Sequence, residues 1–271
     1  GVGIYAYNDD GASHAITVLG CSIVDFQKTG MALNASDTTP VTVDIVGNAV
    51  VGIGPTGVTA QNGIQTWGDR ISGKIAFNDV SGIAYTGAGW VATSVLVYYA
   101  DMLVDNNTIT GGHTCVYGID ADCDITNNTI SVIKSNAYGY GIIATDPPGA
   151  KPAPIVEEGA AAPTGGVLGL AGAAALLEID ISGNTVLFGG PDNTNTAGIE
   201  ADAGYGADDL AVTANGNMVS GFDYGIVFYQ CETDCDTGVF TSLTANQNNL
   251  AGNTGYGLYT NAEVTADATC C

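Results

Sequence analysis

The sequence predicts an all-β solenoid, a chain wound into short parallel strands that stack turn upon turn. Three observations predict it. A triplet of the form Asn-x-Val/Ile recurs along the chain, a Gly-Ile pair recurs in phase with it, and windows of helical periodicity are nearly absent. Repeats of roughly 20–50 residues indicate arrays whose units bury their apolar face only by stacking on their neighbours.

The asparagine triplets set the length of each turn. Most lie 27 to 33 residues apart, with one interval of 21 and one of 56. Cys21-Ser22-Ile23 has the same form and predicts an eighth copy with Cys in the Asn position. The seven regular triplets begin at Asn48, Asn78, Asn107, Asn128, Asn184, Asn217 and Asn248.

A second series of glycines followed by Ile, Met or Leu marks one strand of each turn. Strands such as Val41–Ile45 are short and rich in Val, Ile and Thr, and they alternate apolar with small polar residues. This alternation predicts one face directed into the solenoid. The glycines of the series are Gly3, Gly30, Gly63, Gly118, Gly141, Gly198, Gly225 and Gly257.

One stretch, residues 147–175, interrupts both series. It begins proline-rich and continues as a nearly uncharged Ala/Gly/Leu run. Both series lengthen by the same amount here, which predicts an insertion within one turn rather than a domain boundary. We expect one solenoid domain over 1–271, with this insertion and a C-terminal tail over 260–271. The insertion fits a loop packed on the solenoid or an apolar arm for a neighbouring subunit better than a membrane span, since it is short and glycine-rich.

A Gly-Ile strand followed by an Asn-x-Val strand in each turn resembles the right-handed parallel β-helix repeats of pectate-lyase-like and periplasmic copper-insertion-type proteins. Together with the spacing of the two series, the resemblance predicts a right-handed parallel β-helix of about eight to nine coils with one long inserted loop. It also implies that the recurring Asn residues form an inward ladder at a tight turn, where stacked amides can satisfy one another. Because this scaffold carries enzymes, adhesins and structural proteins, it implies no single function.

The charge is strongly acidic, with 28 Asp and Glu against five Lys and Arg and a net charge of −23. Such a field repels nucleic acid, anionic lipid and polyuronates, so nucleic acid is excluded as a partner. Neutral carbohydrate and a second copy of the chain remain as partners, and cell-wall or cell-surface contacts are compatible with both.

Seven cysteines are an odd number, which in a secreted protein indicates an intermolecular bridge or a free thiol. The intracellular alternative makes all seven small buried hydrophobes. The chain starts within a strand-like run, and we interpret Gly1 as the mature end left after a signal sequence is removed. The disulfide and assembly candidates are Cys21, Cys115, Cys123, Cys231, Cys235, Cys270 and Cys271.

The residues that cleave polysaccharides in related folds have no clear counterpart. The only arginine is Arg70, which fits a surface ion pair better than a lyase base. Asp9-Asp10 and Asp208-Asp209 are acid pairs without the surrounding motif that a glycoside hydrolase would need. His14 and His113 are the only histidines, and neither has metal-ligand spacing. We therefore predict no enzyme, no catalytic residue and no cofactor site.

Two acidic segments make calcium the one cofactor that the sequence does not exclude. Residues 120–124 and 232–236 alternate acids at spacings that can converge on a hard cation, but both lack the EF-hand glycine and terminal Glu. Solvated turn acids are the preferred interpretation.

The two ends of the chain resemble each other, since Gly3–Tyr7 and Gly257–Asn261 both begin with the Gly-Ile type of strand. No amphipathic helix caps either run, and head-to-tail stacking of such ends gives an open filament or a closed ring. We expect an extracellular structural protein that polymerises into a filament, sheath or surface layer, with Cys270 or Cys271 bridged to a neighbour at Cys21.

The chain loosely resembles the cysteine-linked, amyloid-like tubular sheath proteins of filamentous methanogens. The alternative is a secreted polysaccharide-degrading or carbohydrate-binding β-helix, with Trp67, Trp90 and tyrosines as a stacking platform. A third alternative is an adhesin or fibre module.

Overall fold

The fold was determined as a computed structural model. It describes residues 1–35, 39–88, 91–146, 176–204, 206, 208–231, 237–262 and 266–267. The predicted insertion 147–175, Trp90, Cys235, Cys270, Cys271, the acidic segment 232–236 and most of the tail after 262 lie outside these residues.

The described chain is built of strands joined by turns and loops. In chain order they are β1 (Val2–Asn8), β2 (His14–Leu19), β3 (Ser22–Ile23), β4 (Thr29–Ala35), β5 (Val41–Val46), β6 (Ala49–Val51), β7 (Asn62–Trp67), β8 (Ile71–Ala76), β9 (Asp79–Ser81), β10 (Thr93–Tyr98), β11 (Asp101–Asp105), β12 (Thr108–Gly112), β13 (Thr114–Ile119), β14 (Cys123–Thr126), β15 (Thr129–Val132), β16 (Gly139–Thr145), β17 (Leu176–Ser182), β18 (Thr185–Phe188), β19 (Thr196–Ala203), β20 (Asp209–Asn215), β21 (Met218–Ser220), β22 (Tyr224–Gln230), β23 (Phe240–Thr244), β24 (Tyr256–Thr260) and β25 (Ala266–Asp267).

From β1 to β23 every third strand belongs to the same parallel sheet, so the chain winds through three sheets in turn, and β24 and β25 then return to the first two. Sheet A runs from β1 to β24 and sheet B from β2 to β25, with nine strands each, and sheet C runs from β3 to β21 with seven. This confirms the predicted all-β parallel solenoid. The handedness stays a prediction.

The number of complete turns is smaller than predicted. Seven turns contribute a strand to all three sheets, against the predicted eight to nine coils. Among the described residues, the last two turns supply strands only to sheets A and B, and at sheet C the eighth turn adds only an isolated bridge from Asn249 to Met218.

The interior is filled by rows of aliphatic side chains that run along the axis. In sheet A one row passes from Ile4 through Met31 and Ile64 to Leu258, with a new member from every turn. Fully burying one such side chain stabilises a fold by about 1.5–3 kcal/mol. Each turn therefore obtains its stability from the turn on either side of it.

A glycine row precedes this aliphatic row and explains one error in the sequence interpretation. A Cβ on Gly30 would lie 2.6 Å from the carbonyl oxygen of Gly63 in the next turn, so the backbone is too close for a side chain. Gly118 was placed in this row but pairs with Ala144, at an inner position further along the strand. In that 21-residue turn the glycine position is occupied by Cys115, whose neighbour Val116 pairs with Ile142.

Candidate functional site

The asparagines of the repeat form one hydrogen-bonded ladder along the axis. Around Asn128, for example, the backbone N and the Nδ2 of Asn107 both donate to Asn128 Oδ1, at 2.9 and 3.0 Å. Asn128 Nδ2 in turn donates to Asn184 Oδ1 at 3.0 Å and to the carbonyl of Val104 at 2.9 Å. Both amide protons and both acceptor positions of Asn128 are used, so its buried amide carries no unsatisfied group.

The same pattern holds from one end of sheet C to the other. The side-chain bond to the next turn is repeated from Asn48, Asn78, Asn107, Asn128, Asn184 and Asn217, and the last of these reaches Asn248.

From Cys21 to Asn217, each residue at the ladder position is the second of the two residues that join sheet B to sheet C, and Asn248 likewise follows a left-handed residue. The first has a left-handed backbone at every such corner, which turns the chain sharply enough for the amide to point along the axis. Glycine is the residue that adopts this conformation without strain, yet Phe77, Asn106 and Asn127 adopt it as well. The full set is Gly20, Gly47, Phe77, Asn106, Asn127, Gly183, Gly216 and Gln247.

Cys21 occupies the ladder position of the first turn. Its backbone N donates to Asn48 Oδ1 at 2.9 Å, as an asparagine would at this position. Its thiol does not continue the ladder and instead lies 3.6 Å from the carbonyl oxygen of Leu19. The thiol is free and half-buried. Cys21 therefore places a free thiol at the outer end of the ladder.

The interior is incompletely covered at both ends of the solenoid. Most of the core side chains that stay partly exposed belong to the first turn or to the last two. Within the described residues, no strand pairs with the outer edges of β1, β2 and β3. The partly covered core members at the ends are Ile4, Ala6, Ile16, Cys21, Leu250, Leu258 and Ala262.

The other cysteines are distributed differently from Cys21. Cys115 and Cys123 are fully buried free thiols, and burial raises the pKa of both well above the ordinary value. Cys231 is disulfide-bonded, and its partner is none of the other described cysteines. Neither buried thiol has the thiolate character of a nucleophile.

The two histidines do not meet any of these cysteines in a catalytic arrangement. His113 is fully buried at the corner between β12 and β13, and burial lowers its pKa. His14 lies on the surface with Nε2 2.9 Å from Asp10 Oδ2, and hydrogen bonds from Ala12 and His14 lower the pKa of Asp10. Arg70 is exposed.

The described acidic segment 120–124 forms the corner between β13 and β14 and the first residues of β14. Asp122 Oδ1 accepts the backbone N–H of Glu178 at 2.9 Å, whereas Asp124 is exposed on the outer face of β14. Burial and the charges of Asp180, Asp101 and Asp122 raise the pKa of Asp124. Among the residues that the structure describes, no group of three or more His, Cys, Asp and Glu is arranged to hold a metal ion.

A pair of acids that the sequence reasoning missed lies on the outer face of sheet A. Glu200 and Asp202 are two residues apart on β19, so both side chains point outward. Burial raises the pKa of Glu200 to about 7. The pKa of Asp202 is raised well above the ordinary value by burial, by the Glu200 and Asp146 charges and by its hydrogen bond to Glu200.

Asp146 lies beside this pair, directly after β16. It is fully buried, and its Oδ2 accepts the backbone N–H groups of Gly204 and Gly206 at 3.1 and 2.9 Å. Asp202 Oδ1 is buried without a hydrogen-bond partner. The signal was present in the sequence, because both acids follow Gly198-Ile199 at positions that the repeat assigns to the outer face.

Aromatic side chains cluster at the last turn of sheet A. The rings of Tyr224 and Tyr256 stack with centroids 5.6 Å apart, and Tyr259 contacts both at 5.9 and 5.7 Å. Trp67, suggested by sequence as part of a sugar platform, is only 8% exposed.

Comparison of the chain with protein-family models, with curated proteins and with solved structures gives no match. None of the described residues forms a helix of the length and hydropathy needed to cross a membrane.

Proposed function

We propose that this chain is an extracellular structural protein that polymerises by stacking solenoid on solenoid into a filament, sheath or surface layer. One observation carries the proposal: core side chains at both ends of the solenoid, such as Ile16 and Leu258, are only partly buried. Within the described part of the chain no strand lies along the outer edges of β1, β2 and β3, so parallel strands of a second copy can be added there.

Cys21 supplies the covalent element of this assembly. It stands at the outer end of the ladder, where the next rung would belong to the neighbouring copy. Cys270 or Cys271 follows Asn248 by about one turn of sequence, so one of them is the proposed partner of Cys21 across the junction. Such bonds persist in oxidising surroundings, in keeping with a location at the cell surface.

The tubular sheaths of filamentous methanogens are the assemblies that this architecture resembles most. The likeness rests on stacked coils, open ends and terminal cysteines. It implies an amyloid-like, disulfide-locked polymer in contact with the cell surface or wall.

Electron microscopy and non-reducing electrophoresis of the purified chain, with and without reductant, test the proposal. We expect filaments or rings whose covalent ladder of oligomers disappears on reduction. Cys21→Ser should remove that covalent ladder, whereas Cys123→Ala, which changes a buried thiol, should keep it. A monomer at every concentration, with the outer edge of the first turn covered by a preceding segment of its own chain, would refute the proposal.

Salt provides a second readout of the same association. Copies with a net charge of −23 repel each other, and this repulsion is screened over about 8–10 Å at ionic strengths of 0.1–0.15 M. We therefore expect assembly to be faster as salt is added, measured by light scattering. Assembly that slows with salt would indicate a junction held by ion pairs instead.

A further inference from the structure

The rows of side chains in sheet A continue without a shift of register from the first turn to the last. Tyr5 pairs with Ala32 at one end of its row, and Val227 pairs with Tyr259 at the other. Tyr5 and Tyr259 are therefore the two ends of a single row. The full row is Tyr5, Ala32, Gln65, Leu96, Tyr117, Ile143, Glu200, Val227 and Tyr259.

Sheet B gives a second row that ends in the same way. Ile16 begins an inward row that continues to Leu243, and the backbone register of the last turn pairs Leu243 with Ala266. A strand added beyond β25 in the existing register would thus place its counterpart of Ile16 against Ala266. The two sheets specify one mutually consistent register for the next turn.

The side chains at the two ends are suited to each other. Ile4 and Leu258 are the partly exposed ends of the same inward aliphatic row. On the outer face, Tyr5 is exposed at one end, and Tyr259 lies in a tyrosine cluster at the other. Aromatic rings at centroid distances of 4.5–7 Å attract each other beyond the gain from burial.

We propose that the partner at each end is a second copy of this chain, docked with its β1 parallel to β24 and with Tyr5 against Tyr259. The inference rests on the proposed self-assembly and adds its register and direction. All copies then point the same way along the axis, because the first turn of one copy always meets the last turn of another. Each junction repeats the strand pairing that joins turns within one chain.

Engineered disulfides test this register. Neighbouring strands lie about 4.8 Å apart, within the Cα separation that a disulfide requires. Tyr5 and Tyr259 of one chain are eight strand steps apart, about 38 Å, so a bond between cysteines at these positions must join two copies. The background carries Cys21→Ser, Cys270→Ser and Cys271→Ser, and circular dichroism checks that each variant keeps its β structure.

We expect Tyr5→Cys with Tyr259→Cys to give a ladder of covalent oligomers, with the bond located by mass spectrometry. The matched control is Tyr5→Cys with Tyr256→Cys, which shifts one partner by three residues, about 10 Å along β24, and should stay uncross-linked. Filaments that cross-link through Tyr5→Cys alone would reveal a head-to-head contact and overturn the register while keeping self-assembly. Folded protein that forms no filaments would overturn both proposals.

Discussion

Between sheets B and C the chain turns in two residues at each of seven corners, whereas the connections at the edges of sheet A vary widely. The shortest is the single residue His113 between β12 and β13, and the longest contains the insertion 147–175. At the two-residue corners every turn must supply a left-handed residue and a ladder amide. At the other corners the residues that the structure describes form no such chain of hydrogen bonds, and the length varies.

This difference predicts where insertions and substitutions leave the stacking of the turns intact. An insertion at the edge of sheet A leaves the next turn in register, since β16 and β17 occupy sheets A and B like the strands of any other turn. A change at a ladder corner alters the bonding of three consecutive turns. Features found in one turn only, such as the acid pair near Asp146, are therefore expected around sheet A.

The largest effect is expected from Asn128→Ala in the middle of the ladder. The substitution leaves the backbone N and Nδ2 of Asn107 and the carbonyl of Val104 without their partners. At about 1–3 kcal/mol for each buried unsatisfied group, partly relieved by relaxation, the free energy of unfolding should fall by about 4 kcal/mol. Urea denaturation measures it.

Asn249→Ala is the matched control for the ladder. Asn249 directly follows Asn248 but is exposed, and its side chain accepts only a local bond from the backbone of Ala251. Its substitution should change stability by less than about 0.5 kcal/mol. Equal losses in the two variants would show that the ladder bonds are not a special source of stability.

The next largest effect is the pH dependence of stability that Glu200 and Asp202 on β19 cause. The folded-state pKa of Glu200 is raised to about 7 from an ordinary 4.5, so the fold favours the protonated carboxyl. Its contribution is fully present below pH 4.5 and is lost as the pH rises through 7, at roughly 1.4 kcal/mol per unit of pKa shift. Glu200→Gln should therefore stabilise the protein at pH 8 and change little at pH 4.

Urea titrations at both pH values measure this, with Glu178→Gln as the exposed control that keeps the original pH dependence. Asp202 titrates in the same direction and steepens the loss, since its pKa is also raised. Buried His113 acts oppositely, because its lowered pKa removes stability as the pH falls, but it is common to all variants and cancels. A pH dependence unchanged in Glu200→Gln would contradict the raised pKa.

The sequence predicted the ladder corners well because their requirement is local and repeats. Asn48 through Asn248 could be aligned by eye, and the left-handed residue before each is often a visible Gly. The glycine row was harder to predict from the sequence. In the shortest turn Cys115 occupies the glycine position, and Gly118, three residues later, was mistaken for it. The burial of Glu200 could not be read from alternation, which distinguishes inward from outward side chains but not exposed from covered outer faces.

The smallest expected effect is on stability, and it comes from comparing a ladder corner that begins with Phe77 with corners that begin with glycine. Phe77 holds the left-handed conformation, φ 57°, where Gly47 in the preceding turn has φ 66°, and its ring is 63% exposed. A residue with a Cβ loses about 1 kcal/mol in this conformation, and little burial offsets it here. Phe77→Gly should therefore raise the melting temperature by a few degrees, equivalent to about 1 kcal/mol.

Two further variants separate backbone strain from the loss of the ring. Phe77→Leu removes the aromatic ring but keeps the Cβ, so it should give no gain. Gly47→Ala should cost about as much as Phe77→Gly gains, because its added Cβ would have no neighbour within 4 Å and only the backbone conformation would penalise it. Destabilisation by Phe77→Gly would contradict this prediction. It would mean that the exposed ring contributes more to stability than the left-handed backbone costs. The corner at Phe77 would then be stabilised by contacts that the glycine corners lack.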